Sequence, residues 1–146
     1  MSAEAMALAW RCLGGRLLWR GRVRGLRGLI DRGFVIESEA SNEGGALVFR
    51  EQLTFDDGAS ERREWRITPG DDGLRLDADG VAPLAPGRII GDTLAFDYRI
   101  RFGGITFAYH DRFWPRANGG TDNVGMARLF GLPVMTVQCR AEPDVR

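Results

Sequence analysis

Apolar and charged residues alternate with period two along most of this chain, in short runs separated by glycine-rich turns. Successive side chains of a β-strand point to opposite faces, so this alternation gives each strand one apolar and one wet face. Leu47, Phe49, Glu51, Leu53 and Phe55 share a face, with Val48, Arg50, Gln52 and Thr54 on the other. Arg63, Trp65 and Ile67 oppose Arg62, Glu64 and Arg66. Leu94, Phe96, Tyr98 and Ile100 oppose Ala95, Asp97, Arg99 and Arg101, and Ile105, Phe107, Tyr109, Asp111 and Phe113 oppose Thr106, Ala108, His110 and Arg112. Trp19 and Val23 interleave with Arg20, Arg22 and Arg24. Turn chemistry separates these runs at Asp56-Asp57-Gly58, Pro69 to Gly73, Pro86-Gly87, Gly91-Asp92, Gly103-Gly104 and Asn118 to Gly120.

The pattern predicts an all-β fold: an antiparallel up-and-down β-barrel of about 8–10 strands, with a two-sheet sandwich as the alternative. Closure removes the exposed edges that a long meander otherwise carries. Residues 2–13 hold good helix formers and predict a short N-terminal helix acting as a lid or plug. Thr121 to Phe130 offers a weaker helical alternative, and Ala82 to Pro86 is the nearest thing to a linker. The whole chain, 1–146, reads as one barrel domain with residues 1–15 as an N-terminal extension.

Charge and composition exclude several classes of function. The formal net charge is zero, so no nucleic acid partner is expected. The longest apolar runs fall short of a transmembrane segment. All 20 basic residues are arginine, and seven precede Phe34 against only Glu4 and Asp31. The stretch from Arg11 to Arg32 is therefore a candidate contact surface for a membrane surface or an acidic protein. Cys12 and Cys139 lie at opposite ends of the chain, which is no metal-ligand cluster, and in a reducing compartment they are expected as free thiols. His110 takes the outward phase and has no second histidine as company. No cofactor, metal or catalytic residue is read from the sequence. No positive segment precedes the first apolar stretch, and Ala9, Trp10 and Arg11 before Cys12 make a poor lipidation site, so the expected location is cytoplasmic.

Polar residues on the predicted inner faces carry the functional expectation. Glu51 lies between Phe49 and Leu53, and the Asp57-Gly58 turn folds its strand back to bring Arg63 near it. An unpaired buried charge is costly, so Glu51 is expected to hold Arg63, which would in turn orient the head of a lipophilic acid. The expected ligand-binding set is Glu51, Arg63, Trp65, Tyr98, Phe107, Tyr109, Asp111 and Asn123. A small lipophilic molecule is the expected partner. Two alternatives are a filled barrel serving as a structural or interaction module, and an isomerase- or cyclase-like enzyme using the inward acids.

From Leu53 to Trp65 the chain carries an apolar-x-aromatic pair, then Asp57-Gly58, then Arg62-Arg63-x-Trp65. Here it resembles a bacterial domain-of-unknown-function family whose members are often labelled lipoproteins and regarded as lipocalin-like. Glu51, Gly91 with Asp92 before Phe96-x-Tyr98, Asp111, and Asn123, Met126, Arg128, Phe130 and Gly131 extend the similarity over roughly residues 19–140. The chain departs from the family at Cys12, which lacks a lipobox, and after Asp111, where Arg112 follows and the aromatic Trp114 is displaced. The resemblance implies a calycin-type barrel and a cell-envelope location, and no reaction.

Overall fold

The computed structural model describes residues 2–83, 85–102 and 104–146. Ten antiparallel strands follow one helix: α1 (Ser2–Leu13), β1 (Gly15–Gly25), β2 (Ile30–Glu43), β3 (Ala46–Phe55), β4 (Ser60–Pro69), β5 (Leu74–Ala78), β6 (Ala85–Ile90), β7 (Thr93–Phe102), β8 (Ile105–Pro115), β9 (Thr121–Leu129) and β10 (Leu132–Pro143). Each strand pairs with its sequence neighbours, and β1 pairs with β10 from Leu17↔Pro143 to Gly25↔Met135. The sheet is thus a closed up-and-down barrel, as the alternation implied, and the sandwich alternative falls away. Thr121–Leu129 is a strand, because Asn123, Gly125 and Ala127 keep the two-residue period of burial. Of the predicted linker and turns, Leu84 and Gly103 lie outside the described residues; Val81 makes an isolated bridge to Ile100.

The helix fills one end. Its composition favours helix, with Glu4 in the first turn and Arg11 in the last to suit the helix dipole. It stops where Gly14 N donates to Trp10 O and Gly15 takes φ +73°, a conformation that suits glycine. Ala5, Leu8, Ala9, Cys12 and Leu13 face the barrel and are buried with Leu47, Ile67, Leu76, Leu94, Phe96 and Trp19. Thr121 Oγ1 donates to Cys12 O at 2.6 Å, satisfying one of the helix's last carbonyls, and Ser2 Oγ donates to Gly70 O at 2.5 Å. The same end holds the β2–β3, β4–β5, β6–β7 and β8–β9 turns; the other end is left as the mouth.

Inside this closed end aromatic rings meet edge to face. Trp19 stands 6.3 Å from Phe49 and 6.1 Å from Phe113, and Phe96 stands 6.3 Å from Phe113. Trp19 Nε1 donates to Ser38 Oγ at 2.9 Å, so the indole is buried without an orphan donor.

The plug is testable by truncation. Leu8→Ala is expected to lower the free energy of unfolding in urea by about 2–4 kcal/mol, the usual range for a large-to-small change in a packed core. Glu4→Ala, exposed on the same helix, is expected to change it by less than about 0.5 kcal/mol.

Candidate functional site

Halfway between plug and mouth the barrel wall changes from apolar to polar. Register explains the location: Glu51 on β3 stands opposite Arg63 on β4, Tyr98 on β7 opposite Tyr109 on β8, and Phe113 opposite Asn123 on β9, which faces Cys139 on β10. All of these take the inward phase of their strands. A continuous chain of contacts runs from Glu51 to Cys139. Glu51 Oε1 accepts from Trp65 Nε1 at 3.0 Å. The Trp65 and Tyr98 rings are 6.0 Å apart, and those of Tyr98 and Tyr109 are 5.4 Å apart. Tyr98 Oη donates to Asp111 Oδ2 at 3.3 Å, and Asn123 Nδ2 donates to Asp111 Oδ1 at 2.6 Å. Cys139 Sγ donates to Asn123 Oδ1 at 3.2 Å.

Seven of the eight expected site residues therefore line one lumen: Glu51, Trp65, Tyr98, Tyr109, Asp111 and Asn123 form the polar belt, and Phe107 stands on the wall nearer the mouth, opposite Ile100. The eighth, Arg63, differs in its role. Its guanidinium forks onto Glu61, from Nε at 3.0 Å and Nη2 at 2.5 Å, while Glu51 takes its hydrogen bond from the Trp65 indole. The cross-strand position of Glu51 and Arg63 is as expected, but the bonds go along and across different strands because alternation fixes a face and not a rotamer. A second inward arginine, Arg32, lies over the Phe55 ring at 3.7 Å and is held by Asp57 at 2.9 Å. Both inward arginines thus pair with acids at the mouth, Arg32 through Nη2 alone, its Nε being buried without a hydrogen-bond partner among the described residues.

The belt carboxyls are in the opposite state. Among the described residues neither Glu51 nor Asp111 has an ion-pair partner within 4.0 Å. Burial pushes Asp111 up to about 7, against the hydrogen bonds from Asn123 and Tyr98 and with added repulsion from Glu51. Burial likewise raises Glu51, with the Trp65 bond and the charge of Arg63 opposing. Tyr98 and Tyr109 are raised by burial and by the nearby Asp111 charge. These side chains are enclosed laterally by the barrel while Glu51, Tyr109 and Asp111 keep part of their surface open to water. The Tyr109 hydroxyl has no hydrogen-bond partner among the described residues. It lies against Gly125, where a Cβ would collide with Oη, so glycine is what lets the ring lie flat across β9.

Cys139 is the member that sequence reasoning missed. Its signal was its phase, shared with Val137 and Ala141 on β10, but a lone cysteine far from the hairpin motif gave no reason to place it beside Asn123. Cys12 and Cys139 are both free; burial pushes Cys12 up to about 12 and raises Cys139 as well, so both are poor nucleophiles. His110 faces outward as expected, but its partner is Asp97 across the strand pair (Nδ1 to Oδ1, 2.7 Å) and not its neighbour Asp111. Burial alone would raise Asp97; the hydrogen bonds from His110 and Arg112 outweigh it and the net shift is downward. The described residues contain no group of three or more metal-ligating side chains suited to an ion.

The family model described as "Protein of unknown function (DUF3833)" matches residues 4–139. No curated protein matches the chain. Among solved structures the chain is similar to the S-type phycobiliprotein lyase CPES from Guillardia theta, with a TM-score of 0.63 and 10% sequence identity over 100% of this chain and 94% of that chain. At that identity the likeness is one of fold.

The state of Asp111 has a thermodynamic signature. An unfolded aspartate titrates near about 4, and the folded group near about 7. Below both values the two states are equally protonated. Between them the unfolded chain releases its proton first, so stability falls as pH rises, and above about 7 the cost is complete. Asp111→Asn carries no such charge. Its Tm relative to the native protein is therefore expected to be higher at pH 8 than at pH 5 by scanning calorimetry; an equal difference at both pH values would mean an ordinary carboxylate.

Proposed function

We propose a function for this chain, which belongs to the DUF3833 family of proteins of unknown function, from the chemistry of its lumen: the barrel binds a small, largely apolar molecule whose polar end donates hydrogen bonds or carries positive charge. The observation that carries this reading is the imbalance just described. Among the described residues Asp111 and Glu51 face the lumen without an ion-pair partner, while Arg63 and Arg32 make ion pairs with Glu61 and Asp57. A ligand carboxylate entering such a belt meets two acids; an amine or ring N–H meets acceptors. Phe49, Trp65, Phe107 and Ile36 supply apolar wall, worth about 25 cal/mol per Å² covered before ordering costs are subtracted. The acidic head expected from the sequence rested on an Arg63 held by Glu51 and turned to a ligand carboxylate, whereas Arg63 bonds Glu61 at the mouth.

A second reading, the filled barrel, is favoured by a different observation. Two depressions of about 190 and 310 Å³ lie on the wall, one along the β1–β10 seam and one beside β6, β7 and β8, where a surface-acting barrel would meet a partner. A filled barrel has no vacancy for a guest and acts through its surface.

Titration by intrinsic tryptophan fluorescence at pH 8 separates these readings. Dodecylamine is expected to bind at least tenfold more tightly than dodecanoate. Asp111→Asn is expected to weaken the amine at least tenfold and the neutral dodecanol by less than twofold. Tighter binding of dodecanoate, lost in Arg63→Gln, would restore the acidic ligand. No binding of any of the three, together with a clean native mass after gentle purification, would establish the filled barrel.

A further inference from the structure

The mouth carries a feature that ligand binding in the lumen does not use. Four large apolar side chains stand in water at the tips of two neighbouring hairpins: Leu26 at 51% and Leu29 at 87% exposure between β1 and β2, Phe130 at 96% between β9 and β10, and Leu132 at 67% as the first residue of β10. The hairpins are neighbours because β1 pairs with β10 up to Gly25↔Met135. Single exposed leucines are ordinary on a protein surface; four at adjacent tips make a patch.

Their backbone makes the placement more pointed. Leu129 and Leu132 are paired, so Phe130 and Gly131 form a two-residue turn, with φ +52° and +78°. Turns of this type favour Asn or Gly at the first position, and an aromatic there is strained. Leu26 and Arg27 are likewise at φ +47° and +54°. Burial does not offset this conformation, since the Phe130 ring is almost wholly in solvent.

The charge beside the tips is positive. Arg20, Arg22, Arg24 and Arg27 lie on the outward face and turn of β1, and Arg128 flanks the second tip. Arg22 and Arg24 share one acid, Asp31, at 2.5 and 3.8 Å. Arg20 and Arg27 have no acidic partner within 4.0 Å among the described residues, and residues 123–140 contain no acid at all. Just behind the tips, Arg22, Arg24, Thr136 and Gln138 line the outer groove of about 190 Å³. These are hydrogen-bond donors grouped at the scale of a phosphate headgroup. Arg11 and Arg16, in contrast, lie at the plugged end, so the basic stretch expected from the sequence divides into two regions and only its second half belongs here.

We infer that this rim docks on an anionic lipid surface, with Leu26, Leu29, Phe130 and Leu132 entering the headgroup boundary and the β1 arginines facing the phosphates. The arrangement has the two parts that interfacial binding needs, apolar insertion and electrostatic attraction. It orients the mouth of the barrel towards the bilayer. It does not depend on what the lumen holds, and its failure leaves the lumen proposal untouched.

The experiment is co-sedimentation of the full chain with vesicles of phosphatidylcholine containing 30 mol% phosphatidylglycerol, against phosphatidylcholine alone, at about 50 and 300 mM salt. The expected result is binding to the anionic vesicles that falls at least tenfold at high salt and on pure phosphatidylcholine. Leu29→Ser with Phe130→Ser is expected to reduce it at least tenfold, and Arg22→Gln with Arg24→Gln at least threefold, with unchanged circular dichroism. Absence of binding to anionic vesicles overturns the inference, as does binding indifferent to Leu29→Ser and Phe130→Ser. A dimer in analytical ultracentrifugation that dissociates in that double variant, without vesicle binding, would assign the patch to a second copy of the chain instead.

Discussion

The nine-residue seam between β1 and β10 is the constraint on which the rest of the molecule depends. Without it, two long strands would present unpaired N–H and C=O groups to solvent, and the sheet would have edges open to other chains. With it, every strand has a hydrogen-bonded neighbour on both sides and the inner face becomes a single enclosed surface. The seam also decides contacts that no local signal could: it carries Cys139 to Gly21 and thereby to Phe34, whose ring occupies the space that a Cβ at Gly21 would fill. The small residues of β1, β9 and β10 and the large aromatics of β2, β7 and β8 are thus complementary parts of one wall.

Closure creates a problem that the polar belt expresses. An enclosed inner face is best filled with apolar side chains, and at the plugged end it is. One layer further up, the chain places Glu51 and Asp111 in the same enclosure and leaves both without an ion pair. Apolar residues of similar volume would be expected to hold the barrel together at least as well, since buried ionisable groups seldom gain more than their desolvation costs. The hydrogen bonds from Trp65, Tyr98 and Asn123 reduce that cost and fix the orientation of each carboxyl, but they do not cancel it, as the raised Asp111 shows. The same three donors would keep the acceptor array in place for an incoming group, which is the preorganisation a binding site requires.

The fold was legible in the sequence to a degree that the site was not, and the reason is physical. Strand alternation has an exact period of two, so Phe49, Trp65, Tyr98, Tyr109 and Asp111 could be assigned to one face without knowing their neighbours. The helix over residues 2–13 was legible from composition, since Ala, Leu and Met are favourable there whatever they touch. Rotamers and long-range partners have no such period. Arg63 stands opposite Glu51 by register, yet its guanidinium lies on Glu61, two residues away on its own strand, because a long side chain reaches several acids and the exposed one costs less to approach. The pairing of His110 with Asp97 similarly follows from the β7–β8 register and not from the adjacency of Asp111 in the text. Cys139 entered the belt only through the closing seam. Face is thus local information and partnership is not.

The residues that break local rules lie in two places, and they break them differently. In the belt the violation is electrostatic, carboxyls where apolar groups would serve, and the surrounding hydrogen bonds compensate for part of it. At the rim the violation is conformational, with Leu26 and Phe130 at positive φ and the Phe130 ring almost wholly in solvent. A fold whose sequence agrees with itself at most positions is expected to concentrate its exceptions where something outside the fold is involved. The belt faces inward and can be matched by a molecule small enough to enter. The rim faces outward across two hairpins and can be matched only by a surface. A barrel whose uncompensated groups occur at its lumen and at its mouth, with a helix closing the opposite end, is consistent with a guest that enters from the side on which the surface lies.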